Sequence, residues 1–377
     1  MKDGISRQVV ATGTDAAAVA AEIVEKLADS SLRIAFIFAD WRLDPTAISR
    51  AIHAGLRAPV VGGTTVGVVG RGAQRDAVGA VGLGLYGDAV RVGVGVATEL
   101  GKSPLTRSRD AVHHAAAALG RTVDTLDPAR HVGVTIVDGT MGQEEAFCIG
   151  SAAAAPRIRF VGGCTATEIA STRRAAVWVD GEVMSDAGTV ILLETELPFL
   201  VFASAHLLPT DVKTVVTAAS GRIITELDGY PAVSRLRELI ARLGESLEEP
   251  RPSHTFARYV DGLPYLRSMV HIDGEQIHLA SAVEPGHALR IMKPGDLIGT
   301  TKRDLAIACE RVGGECAALL AFSCIGRHWE ARSRHIEAEL AGVYAAYPTV
   351  GFQSFGEQSG MLLVNHTLTG LAIGVPR

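Results

Sequence analysis

Cysteine is scarce in this 377-residue sequence: there are five, Cys148, Cys164, Cys309, Cys316 and Cys324. Their number is odd and no two form a CxxC pair. They do not read as a disulfide framework, and a reduced, cytoplasmic setting is expected. Dense Lys/Arg runs are missing as well. The net charge is −5, from 36 basic and 41 acidic residues. Without a basic footprint to neutralise phosphates, nucleic acid is not an expected partner. No apolar run follows the N-terminal MKDGISR, so no signal peptide is predicted. The longest apolar stretch, 189–208, contains Glu194, Glu196, Pro198 and His206. A bilayer span tolerates few such residues, so the stretch reads as two buried strands and no membrane is expected. HExxH and GxSxG are also absent. His113 and His114 are adjacent on a predicted helix, so they point apart and cannot form an i,i+4 metal pair.

What is present is material for a core. Hydrophobic residues make up 47% and charged residues 20%, a balance that excludes a mainly disordered chain. Glycine is plentiful, 41 residues, but has no three-residue period, which excludes collagen. The length allows two or three domains.

Segment 33–40 (RIAFIFAD) has strand length, and Asp44-Pro45 then opens a helix, Asp as N-cap and Pro at the first helical position. Segment 59–65 (PVVGGTT) reads as a strand entering a Gly-rich turn. Segments 78–86 and 90–97 read as a hairpin about Gly87-Asp88, and 108–119 as an Ala-rich helix. The order then recurs. Segment 131–138 is a strand, Thr140 and Gln143 stand at capping-box spacing before a helix, and 158–165 is the next strand and Gly-rich turn. VGGTT at 61–65 and VGGCT at 161–165 are 100 residues apart. Further strands are predicted at 175–179, 189–193 and 199–205. Residues 33–120 and 131–215 therefore read as two copies of one β-α-β-β unit. A third copy is predicted from the strand at 317–324, the helix at 333–347 and the strand at 349–355. Between them, 220–243 reads as a helix interrupted by Asp228-Gly229-Tyr230-Pro231, 245–253 as a surface loop, and 267–281 as a hairpin turning at Asp273-Gly274. The expected class is α/β with α+β character: mixed sheets with packed helices, in two domains.

Several motifs carry no function. Gly82, Gly84 and Gly87 spell GxGxxG, but within a strand pair and not before a helix, so they read as small residues in a packed strand. Gly101-Lys102-Ser103 lacks the first glycine of a phosphate loop, because Val96 stands there. Glu144 and Glu145 in a first helical turn suit the helix dipole better than acid–base catalysis. With no nucleophile–base constellation, the chain is not expected to be an enzyme.

The remaining features are specific: GGCT at 162–165, VWVDGEV at 177–183, LDGYPA at 227–232, FSCIGR at 322–327, GFQSFGEQ at 351–358 and NHTL at 365–368. In this order they resemble the FIST sensory proteins, with a FIST N-like domain at 20–215 and a FIST C-like domain at 216–372. The resemblance implies a small-ligand sensor in bacterial signal transduction. The length leaves no room for an output domain, so the chain is similar to stand-alone members. Some of these bind haem b, sense nitric oxide and regulate a separate histidine kinase or cyclic-di-GMP enzyme. The ligand-binding positions implied are Gly162, Gly163, Cys164, Thr165, Cys324, Gly326, Arg327, Gly356 and Glu357, with His328 and His366 beside the motifs as haem axial candidates. Arg327 offers a planar fork for a haem propionate or amino-acid carboxylate, with Glu357 as the counter-charge to it or to a ligand amine. The sequence departs from the family pattern where the first turn reads Gly62–Val68 without an acidic end, and where Val364 and His366 replace residues of the C-terminal signature. Two alternatives stay open: a sensor of a small carboxylate or amino acid without haem, and an enzyme with Cys164 or Cys324 as nucleophile.

Overall fold

The short apolar runs become the strands of three similar sheets. The computed structural model describes residues 4–72, 77–168, 173–249, 251–260 and 262–376. Among them are eight α-helices; helix makes up 26% and strand 42%, in several mixed sheets. Each of three units, residues 6–86, 90–195 and 199–374, runs strand, helix, strand, helical segment, strand, short arm, strand. The parallel pair of each unit is Leu32–Asp40 with Val60–Thr65, His131–Asp138 with Arg159–Thr165, and Cys316–Cys324 with Thr349–Ser354.

The arms are exchanged in a ring. The second unit's Val177–Val179 pairs with the first unit's Val60–Thr65. The third unit's Glu357–Ser359 pairs with the second unit's Arg159–Thr165. The first unit's Val68–Gly70 pairs with the third unit's Thr349–Ser354. Each arm also plugs its host's helix–sheet core: Trp178 enters that of the first unit, Leu363 that of the second and Val69 that of the third. Trp178 is fully buried. A side chain burying roughly 150–250 Å² contributes about 4–6 kcal/mol of transfer free energy before entropy is counted.

The inner faces of the three sheets meet in one core that draws on Phe36, Val134 and Leu320 from the three first parallel strands. Phe38, Phe322 and Phe352 form its aromatic centre, with ring centroids 4.5–6.3 Å apart. On the opposite, helix-facing side, the paired parallel strands of each sheet leave no room for side chains at the equivalent positions Gly62, Gly162 and Gly351. A Cβ there would overlap the carbonyl oxygen of Ile37, Thr135 or Ala321 on the neighbouring strand. This is the physical reason for the recurring Val-Gly step.

Between Phe199–Ser204 and the helix Leu297–Arg311, the third unit carries an insert, residues 208–293. It is a β-sheet of its own with one helix, Ala232–Ala241, whose Leu236 joins Val216, Phe256 and Ile291 in one apolar cluster.

Several expectations change. Strands Gly79–Tyr86 and Val90–Thr98 form no hairpin: the first pairs with Ser6–Thr12 and Leu32–Asp40, the second with Ala187–Thr195 in another sheet. The turn at Gly87 is thus the crossing between units, and the repeat starts about one strand and helix earlier than 33 and 131. Thr140 makes no capping box. Its hydroxyl donates to Asp138 Oδ1 at 2.6 Å, and the helix starts at Glu144 behind Gln143, whose side chain makes no cap hydrogen bond. Residues 220–231 are not helical; they hold the strands Ile223–Leu227 and Tyr230–Pro231. The boundary expected at 215/216 falls inside the strand Leu208–Ser220. Pro250 of the expected surface loop lies outside the described residues. Asp44 does cap its helix, accepting from the Thr46 and Ala47 amides. The hairpin at Asp273-Gly274 forms between Met269–Asp273 and Gln276–Leu279. No helix among the described residues is long and apolar enough to cross a membrane.

The glycine argument is directly testable by urea denaturation. Gly62→Ala and Gly351→Ala should each destabilise the fold by about 1–3 kcal/mol or more. Gly342→Ala, on an exposed helical position with open space around it, should stabilise by about 0.5–1 kcal/mol. Equal effects at all three sites would refute the close-approach explanation.

Candidate functional site

In parallel β-α-β units, ligands collect beyond the C-terminal strand ends. Here those ends are Asp40, Asp138 and Cys324, at matching positions of the three parallel pairs. The first two are used locally. Arg42 Nε and Nη2 donate to the two Asp40 oxygens at 2.8 and 2.7 Å. Asp138 accepts from the Thr140 amide and hydroxyl and from the Asp186 amide. Each carboxylate therefore fixes the chain leaving its strand.

Between the strand ends and the insert lies a cavity of about 710 Å³, walled by Gly139, Cys324, Gly326 and His366 from the body and by Ser268 and Leu279 from the insert. A second cavity of about 520 Å³ adjoins it and reaches Asp40, Trp41 and His328; the two share Glu168, Arg251, Ile325, Trp329 and Arg332. The Arg251 guanidinium lies 4.9 Å from the centre of the Trp329 ring, a cation–π contact in their common wall.

The insert is anchored over the larger cavity by the two adjacent glutamates of the second unit. Arg222 Nη2 donates to buried Glu144 Oε2 at 2.6 Å, and although burial works against the guanidinium, the carboxylates of Glu144 and Glu145 hold it above its ordinary pKa. Glu145 accepts from the Ala282 amide at 2.9 Å and lies 3.7 Å from Arg267. The positions expected to serve the helix dipole thus also fasten the roof.

Of the positions implied by the resemblance, Cys324, Gly326 and His366 line the first cavity and His328 the second. Gly162, Gly163, Cys164 and Thr165 are buried inside a sheet, their strand covered by the third unit's arm. Gly163 lies where a Cβ would press on the Phe322 ring. These glycines serve packing and do not reach either cavity. Gly356 accepts from the Cys164 amide at 2.8 Å. Arg327 is fully buried and donates to Thr301 Oγ1 at 2.6 Å. It lines neither cavity and forms no ion pair with Glu357 among the described residues. Glu357 is enclosed, accepting from Ser354 and Thr367 hydroxyls at 2.6 Å each. Burial raises the thiols of Cys148, Cys164 and Cys324 well above their ordinary range, which leaves Cys164 and Cys324 as neutral, weak nucleophiles.

The sequence reading misses Glu330, on the helix Ile325–Ser333 that follows the FSCIGR strand. It stands one helical turn after Gly326, so both face the cavity. Burial opposes its charge, but hydrogen bonds from His206 and His366 outweigh that and hold the carboxyl well below its usual range. His206 Nε2 lies 2.6 Å and His366 Nε2 3.0 Å from Glu330 Oε2, and Arg334 Nη1 donates to Oε1 at 2.7 Å. A histidine ending an apolar run, His206, is the signal that could have flagged this group.

Haem takes an axial side-chain ligand such as His. His366 Nε2 faces Glu330, and its Nδ1 packs where a Cβ on Gly326 would lie 2.9 Å away. His328 Nε2 faces the Ser323 hydroxyl at 3.1 Å, and its ring stacks on Tyr344.

Fold and crevice together define a ligand-binding α/β module. Family models place it further: the FIST N domain matches residues 31–230 and the FIST C domain residues 232–360. The chain belongs to the FIST family, whose domains sense small ligands in signal transduction. Among solved structures, a cyanuric acid hydrolase from A. caulinodans aligns over 99% of both chains at 12% identity, with a TM-score of 0.36. No curated protein matches.

Glu357 gives the site a pH signature. Burial pushes its carboxyl from 4.5 up to about 8 despite the hydroxyl donors. The folded protein thus keeps a proton that the unfolded chain releases above about 4.5, and stability falls with rising pH across that window. Relative to Glu357→Gln, the wild type should lose up to about 1.4 kcal/mol per pH unit between about pH 4.5 and 8, and no more beyond. Urea midpoints of both proteins across this range test it; a constant difference would mean an ionised Glu357.

Proposed function

We propose that this chain is a sensor of a small organic anion, a carboxylate or amino acid, taken into the cavity between the strand ends and the insert. The observation that supports this reading is the charge lining that cavity. Arg173, Arg174, Arg222, Arg251 and Arg332 face it, against Glu168, Glu248 and Glu330. Arg222 is held by Glu144, and Glu330 by its histidines and Arg334. Arg174, Arg251 and Arg332 have no carboxylate partner among the described residues. Guanidinium forks of this kind bind carboxylates in a bidentate manner, while Glu168 and Glu248 suit the ammonium of an amino acid.

The roof supplies a route for the signal. A ligand touching both walls, at Arg332 on the body and near Ser268 on the insert, favours the closed arrangement by its differential affinity for it. The insert's exposed surface then changes for a separate protein, a histidine kinase or cyclic-di-GMP enzyme as the family resemblance implies. The haem-borne nitric oxide reading requires a histidine to leave its present hydrogen bond. The enzyme reading requires a thiolate that burial opposes at Cys164 and Cys324.

Thermal shift across a panel of mono- and dicarboxylates and amino acids tests the proposal. A binder should raise Tm saturably, as mass action requires, and Arg332→Ala and Arg251→Ala should each weaken it by about tenfold or more. No stabilisation by any member, or stabilisation indifferent to both arginines, would overturn it. A Soret band on adding haemin, lost in His366→Ala, would replace it with the haem reading.

A further inference from the structure

We infer that His206, Glu330 and His366 form a binding site for one divalent transition-metal ion, opening onto the larger cavity. The three donor atoms, Nε2, a carboxylate oxygen and Nε2, all lie within 4.8 Å of one another. They come from three separated parts of the chain: the segment after the strand Phe199–Ser204, the helix Ile325–Ser333 and the loop before the strand Leu368–Gly374. All three residues are buried, at 2%, 6% and 8% exposure. Buried imidazoles converging on one carboxylate oxygen are costly to assemble for stability alone, since a well-packed apolar trio of that volume would serve as well.

Geometry and chemistry fit such an ion. Two histidines and one carboxylate with open positions is the donor set of Zn²⁺ and non-haem Fe²⁺ sites. Metal–nitrogen bonds of about 2.0–2.1 Å place tetrahedral donors roughly 3.4 Å apart, within reach of small side-chain rotations from the present separations. The open side is defined: Glu330 and His366 line the cavity, whereas His206 does not. Outer groups hold the ligands. Arg334 fixes the second Glu330 oxygen at 2.7 Å, and the Ser268 hydroxyl lies 3.5 Å from His366 Nδ1. Partners of this kind orient metal ligands.

A further feature points the same way. His366 sits at φ +55°, in the left-handed region; for a non-glycine residue this conformation is costly and persists only where surroundings impose it. Here it turns the imidazole onto Glu330, and Gly326 is small enough to let it approach. Arg327 and Arg334 add positive charge nearby. An ion here therefore favours an anionic fourth ligand from the cavity, such as hydroxide or carboxylate.

The inference stands apart from the organic-anion reading, because the probe is the metal alone. Chelator-stripped full-length protein is titrated with Zn²⁺ by calorimetry, and with Co²⁺ followed by its visible d–d bands. The expected result is one equivalent bound, a raised Tm and tetrahedral-type Co²⁺ bands. Glu330→Gln and His206→Ala should weaken binding by more than the roughly 10–100-fold that loss of an outer partner costs; Arg334→Ala should fall within that range. Should the ligand variants fail to fold, X-ray absorption of the zinc-loaded wild type decides, two imidazoles in the first coordination sphere being required. Absence of stoichiometric binding to the folded wild type, unchanged affinity in folded variants, or a coordination sphere without two imidazoles would overturn the site.

Discussion

The packing of three sheets onto one another's inner faces is the constraint from which the rest follows. One core of Val, Leu, Ile and Phe from all three units fills the interior, and the helices are left to the outside, each layer with its own apolar cluster. Within each sheet, the carbonyl of the first parallel strand leaves room only for glycine at Gly62, Gly162 and Gly351 of the second. Because each sheet borrows its edge from the next unit, no edge strand of the second, glycine-bearing kind is left exposed, which removes a hazard open sheets carry. The same closure brings Asp40, Asp138 and Cys324 to matching strand ends, and so decides where a crevice can form.

What breaks the likeness of the units is the insert in the third. The first two units end their strands in aspartates spent on local turns. The third ends in Cys324 and a helix carrying Trp329, Glu330 and Arg332 toward open space. The insert then lays Ser268 and Leu279 across that space and is fastened by Glu144 and Glu145 of the second unit. A three-fold scaffold thereby acquires a single, lopsided site with walls from two domains. Its interior combines one buried carboxylate held well below its usual pKa range with a rim of arginines, a pairing that can hold both cationic and anionic partners.

The strands were legible because their signals are local. Runs such as RIAFIFAD and HVGVTIVD, Asp44-Pro45 before a helix and the Val-Gly step at a spacing of 100 residues need no tertiary information. Pairing partners were not legible. Gly87-Asp88 is good turn chemistry, yet the strands on either side belong to different sheets, because each finds a longer apolar partner elsewhere. The part of 220–243 before the interruption at Asp228 reads as helix, but there sheet pairing in the insert makes Ile223–Leu227 a strand. Of the residues picked out by motif proximity, Cys324, Gly326 and His366 line the larger cavity. Arg327 turns inward to Thr301, and the smallness of Gly162 and Gly163 answers to a neighbouring carbonyl and to Phe322. Glu330 and His206 lie 124 residues apart, and nothing in either neighbourhood announces their meeting.

The ring of exchanged arms also governs when the molecule can exist. The first unit's sheet is unfinished until Val177–Val179 is made, the second's until Glu357–Ser359 is made, and the third accepts Val68–Gly70 only after Thr349–Ser354 has emerged. Pairings with such sequence separation carry a high contact order and form slowly. During synthesis the first unit waits, with an unplugged core and a bare sheet edge, for the arm at Val177–Val179, and the second waits for Glu357–Ser359. The ring closes only when the third unit's last strands emerge, and a truncated chain lacks the last arm that would seal its second unit.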